Sequence, residues 1–111
     1  MKPLLFTDAE ISVMTVALDY VYDYEDVSLL QSSMDINRYG KIFNSAYDKL
    51  MEYCALTHFT NEEFLVLEDA LICLLRVVEH QHRKTVLSAI HKVQNASETT
   101  DGISRVPTSR P

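Results

Sequence analysis

The chain repeats itself. Phe6-Thr7-Asp8-Ala9-Glu10-Ile11 reappears as Phe59-Thr60-Asn61-Glu62-Glu63-Phe64, and Val13, Ala17 and Leu18 recur as Val66, Ala70 and Leu71. Farther along, Lys41, Ser45, Ala46 and Lys49 return as Lys84, Ser88, Ala89 and Lys92. The second copy is shorter, so the first carries a longer connector. A repeat constrains the fold more than composition does. Each copy must be one supersecondary unit, and a unit that cannot bury its apolar face alone must close on the other.

Both copies open with the same local device. Thr7-x-x-Glu10 and Thr60-x-x-Glu63 have capping-box spacing, in which hydroxyl and carboxylate satisfy each other's backbone amides. Phe6 with Ile11, and Phe59 with Phe64, stand at hydrophobic-staple positions. These signals start helices near residues 8 and 61.

Apolar spacing of three and four then carries the first helix to about residue 26 through Ile11, Met14, Leu18 and Val21. A second helix over about 35–56 places Ile36, Tyr39, Phe43, Ala46, Leu50 and Cys54 on one face. A third over about 61–79 uses Phe64, Leu67, Leu71, Leu74 and Val78, and a fourth over about 83–95 uses Val86, Ala89, Ile90 and Val93. Residues 27–34 read as a connector with a short helical turn. The segment Glu79–Arg83 lacks Gly and Pro, yet the repeat demands a turn there. Two glycines and three prolines, all three near the termini, also favour an all-α class. The expected architecture is a four-helix bundle over residues 1–95, made of two duplicated hairpins, 6–56 and 59–95. Residues 96–111, rich in Ser, Thr and Pro, are expected to form a flexible tail.

The net charge of −6 disfavours nucleic acid as a partner. The longest apolar stretch, 64–78, contains Glu68, Asp69 and Arg76 and is too short for a membrane span. Met1-Lys2-Pro3 leads straight into a capped helix, so no signal peptide is expected, and the predicted compartment is cytoplasmic. Cys54 and Cys73 are expected to be buried, reduced thiols.

The repeat also supplies an internal control. Leu65 and Ile72 lie well off the core stripe of the third helix, and their counterparts Ser12 and Asp19 are polar. Twelve of the fifteen residues in 64–78 are apolar, more than one core stripe requires. Leu65 and Ile72 are therefore candidates for a homodimer interface, unless the 27–34 connector covers them. All six tyrosines lie in the first copy. Tyr20, Tyr22 and Tyr24, interleaved with Asp19, Asp23, Glu25 and Asp26, give the first helix an acidic, aromatic end. Tyr20, Tyr22, Asp23, Tyr24 and Asp26 are the candidate surface for a protein partner with a basic face.

Catalytic and cofactor signatures are sparse. Glu79-x-x-His82 occurs once, where a dinuclear metal bundle needs it twice, so no metal site is predicted. No phosphate loop, zinc pattern or nucleophile–base pair stands out, and no cofactor is expected. Gly40 falls inside the second helix, where it costs about 1 kcal/mol in propensity and permits close approach of another helix. The duplicated Lys-x-x-x-Ser-x-x-x-Lys pattern places Lys41, Ser45, Lys49, Lys84, Ser88 and Lys92 on successive helical turns. Paired about a two-fold axis, these residues would suit a small anionic ligand such as a nucleotide or cyclic dinucleotide. The leading expectation is a non-enzymatic helical adaptor or inhibitor of a protein partner, acting as a homodimer. The alternative is a binder that sequesters an anionic ligand.

Overall fold

In a computed structural model, the backbone is described for residues 6–24, 27–54 and 56–109, and side chains over the same range except 29, 32 and 97–109. Its elements are α1 (Asp8–Asp23), the short α2 (Leu29–Ser33), α3 (Ile36–Met51), α4 (Asn61–Leu75) and α5 (His80–Ser109). The fold is an all-α, four-helix arrangement, with α2 as the helical turn in the first connector. No strand occurs among the described residues. No helix among them is long and apolar enough to cross a membrane.

Both helix starts form as the capping boxes dictate. Thr7 Oγ1 accepts the Glu10 amide at 3.1 Å while Glu10 Oε1 accepts the Thr7 amide at 2.8 Å. Thr60 and Glu63 repeat the exchange at 3.1 and 2.7 Å. The staple position is filled by Phe59 against Phe64, ring centroids 5.6 Å apart. Phe6 also lies 6.4 Å edge-on from Phe59, so the two capped ends meet at one end of the molecule.

The core forms in matching register in both halves. On α1 the buried positions are Glu10, Met14, Ala17, Leu18 and Val21; on α4 their repeat counterparts Glu63, Leu67, Ala70, Leu71 and Leu74 are buried. The flanking helices contribute Phe43, Ala46 and Leu50 from α3, matched by Val86, Ala89 and Val93 from α5. α1 and α4 form the central pair, α3 and α5 pack against both, and α2 bridges α3 and α4.

Helix ends differ from the sequence expectation for physical reasons. α1 stops at Asp23, not near residue 26, because Tyr24 leaves helical geometry as its C-cap and Val27 N–H turns back to the Tyr24 carbonyl at 3.1 Å. α3 ends at Met51 rather than 56, which puts Cys54 past the helix and exposes it; its expected burial is corrected. Ile36, at the first turn of α3, is 60 % exposed and not part of the core stripe. Cys73 is buried as expected, its thiol donating to the Val27 carbonyl at 3.1 Å. The turn between α4 and α5 exists, but at residues 76–79. Without glycine, it is closed by amides of Val77 and Val78 on the Leu74 carbonyl, and by Arg83 reaching back to the Leu75 carbonyl at 3.0 Å. The end of α4 is thus capped by a side chain from the next helix. α5 begins three residues earlier than expected. The expected tail lies almost wholly outside the described side chains; only Ala96 is described, packed at the core edge.

Candidate functional site

The duplicated Lys/Ser pattern has a role that only the pairing of the halves reveals. Ser45 and Lys49 of α3 both bind the Glu63 carboxylate of α4: the serine hydroxyl donates to Oε2, and Lys49 Nζ to Oε1 at 2.8 Å. Ser88 and Lys92 of α5 bind Glu10 of α1 in the same way, at 2.5 and 2.7 Å. Each capping glutamate is therefore clasped by the serine and lysine of the other half. Glu10 and Glu63 are each 3 % exposed. Each lysine also lies over a staple ring, Lys49 5.9 Å from the Phe59 centroid and Lys92 6.0 Å from that of Phe6.

Burial pushes both carboxyls up, but the bonds from lysine, serine and the threonine amide outweigh it and hold both below the ordinary value of 4.5. A carboxylate so stabilised is a weaker base than an ordinary one. The clasps join two halves of a fold. Of the six residues considered for an anionic ligand, Ser45, Lys49, Ser88 and Lys92 are engaged with Glu63 and Glu10, and Lys41 and Lys84 stand exposed. The sequence held both ingredients, since the capping box and the Lys/Ser pattern are duplicated together, but not which half would meet which.

The Leu65 and Ile72 side chains sit on the outer face of α4, 44 % and 38 % exposed. The connector does not cover them. It is tied beside α4 instead, where the Ser28 hydroxyl donates to Asp69 at 2.6 Å and Leu30 and Met34 pack on the core. Between α4 and α5, Gln94 holds Glu68 at 2.8 Å.

The acidic, aromatic end of α1 is brought together on the surface. Tyr22 is 73 % and Tyr24 56 % exposed, and Asp23 is exposed between them; Tyr20 is half-buried, its ring 5.1 Å from that of Tyr24. Asp26 lies outside the described residues. The neighbouring helix adds residues that the sequence reading did not place here. The Tyr22 ring stands 6.3 Å from Phe43, and Phe43 is stacked 6.4 Å from Tyr47. The Asp19 carboxylate beside Tyr47 raises that phenol above its ordinary value. The helical period alone could have placed Tyr47 near this face, but the pairing of α3 with α1 could not be read from it.

This end of α1 is electrostatically unfavourable. Its last turn contains no base, and the helix dipole is negative where Asp19 and Asp23 sit. The two acids are one turn apart, which adds like-charge repulsion. Among the described residues neither forms an ion pair. No group of three or more His, Cys, Asp or Glu suited to a metal ion occurs among the described residues. Comparison with protein families, curated proteins and solved structures returns no match for this chain.

Proposed function

We propose that this chain is a non-enzymatic interaction protein, an adaptor or inhibitor, whose partner surface is the acidic end of α1: Tyr20, Tyr22, Asp23 and Tyr24 with Asp19. The observation that carries the reading is the pairing of unneutralised acids at the negative end of a helix with rings left in water. The acids cost stability in the isolated protein, a partner presenting Lys or Arg would relieve that cost, and the exposed rings offer area for it to bury. Tyrosine suits such a surface because it offers area and a polar tip for little lost side-chain freedom. The duplicated serines and lysines, the alternative site for an anionic ligand, support the reading indirectly, since four of them are engaged inside the fold.

Affinity capture from the native host, compared with the Tyr22→Ala/Asp23→Lys variant, tests the proposal. Proteins captured by the wild type should be lost from the variant while its helicity is unchanged. The same proteins captured equally by both would refute it.

A further inference from the structure

Helical period puts Glu62, Leu65, Asp69, Ile72 and Arg76 on one line along α4, opposite its buried stripe. Leu87 of α5 extends this line sideways. Arg83 and Gln94, on the same side of α5, reach the Leu75 carbonyl and the Glu68 carboxylate of α4. Leu87 stands between them along α4 and is 40 % exposed. The outer face of the second half is thus an apolar patch of Leu65, Ile72 and Leu87, with an acid at one end and a base at the other.

The fold itself does not require that patch. The repeat counterparts of Leu65, Ile72 and Leu87 are Ser12, Asp19 and Asn44, and all three positions face outward in both halves. Positions that carry Ser, Asp and Asn in one half have no need of Leu and Ile in the other. Apolar area left in water against that control marks a surface that something covers. Charge then says what. Arg76 is exposed and forms no ion pair among the described residues. Glu62 pairs with Arg38, yet its side chain is still 42 % exposed. The two stand about 21 Å apart along the helix axis. An antiparallel meeting with the same stripe of a second copy brings each Glu62 to the other copy's Arg76. A parallel meeting would set like charges together. The counterpart stripe on α1, Ala9, Ser12, Val16, Asp19 and Asp23, carries no base and has no such self-complementarity.

We infer that the chain forms a two-fold homodimer in which α4 lies antiparallel on α4 of a second copy. Leu65 packs near the second copy's Ile72, Leu87 widens the contact, and Glu62–Arg76 pairs close both ends. A two-fold contact of this kind uses one patch twice, so every complementary pair forms twice. Asp69, at the middle of the stripe, is bound by the Ser28 hydroxyl at 2.6 Å. Its approach to its own image is the cost of the arrangement and keeps the association weak. The dimer face shares no residue with the acidic end of α1, so a dimer leaves that surface free and presents it twice.

Sedimentation equilibrium of the full chain at low salt, up to about 500 µM, tests this, with a dissociation constant of about 100 µM expected for so small a contact. Glu62→Lys and Arg76→Glu each turn both end pairs into like charges, and each variant alone should associate about tenfold more weakly. Mixing the two variants in equal amounts should restore the wild-type association, because each then meets its opposite. Both changes lie on the surface, and circular dichroism should show wild-type helicity for each. A wild type that stays monomeric across the range would overturn the inference, leaving the patch to a foreign partner. So would single variants that associate as well as the wild type, or a mixture that associates no better than its parts. Any of these failures leaves the acidic-end reading untouched.

Discussion

Replacing Glu10 by Gln tests the clasp between the halves. Glutamine at this position still accepts the Thr7 amide, so the capping box survives. The negative charge that Ser88 and Lys92 bind is lost, and with the amide oxygen held by Thr7 the new NH2 faces Ser88, whose hydroxyl can no longer donate to a carboxylate. A hydrogen bond to a charged group contributes about 1.5–3 kcal/mol. The Lys92 side chain is 31 % exposed, so its share is discounted toward that of a surface pair. The expected cost is about 2 kcal/mol, dominated by the serine bond. In a domain of this size that lowers the melting temperature by about 10 °C. The pH dependence gives a sharper signature. The folded carboxyl is depressed below 4.5, so its contribution is present above that pH and vanishes as pH falls through the folded value. Thermal melts followed by circular dichroism from pH 7 to below pH 3 should show wild type and variant converging at the acid end, because all other carboxylates titrate alike in both. A gap that stays constant with pH, or one under about 2 °C at pH 7, would refute the reasoning.

Other outcomes follow from burial and exposure. Leu71→Ala, at a fully buried position on the central pair, should cost about 3 kcal/mol in a denaturant titration. Leu65→Ser with Ile72→Asp should convert a self-associating wild type into a folded monomer by light scattering; a wild type already monomeric at high micromolar concentration removes the homodimer proposal. Cys54 is exposed, and bonds from Leu56 and Thr57 pull its thiol down, so it should be alkylated in the native protein while buried Cys73 reacts only on unfolding. Equal protection of both thiols would contradict that placement.

The legible parts of this fold were local. Thr7, Glu10, Thr60 and Glu63 announced both helix starts because a capping box closes within four residues. The core stripes were legible because burial follows the helical period. Helix ends were less so: α1 and α4 end where Tyr24 and Arg83 make contacts outside their own helices' pattern, and no glycine or proline marks either place. The clasps escaped the sequence reading because Ser88 and Glu10 meet only when the halves close. The Asp19–Tyr47 pairing depends in the same way on how α3 lies against α1. For Gly40, the sequence showed the cost, and among the described residues nothing lies within 4 Å of a methyl group built there.

Hydrogen–deuterium exchange of the full chain bound to a captured partner tests the central claim most directly. Binding at the acidic, aromatic surface should add protection over residues 16–24 of α1 and 36–47 of α3, and leave α4 unchanged. Protection confined to residues 61–75, around Leu65 and Ile72, would move the partner surface to the opposite half and contradict the account.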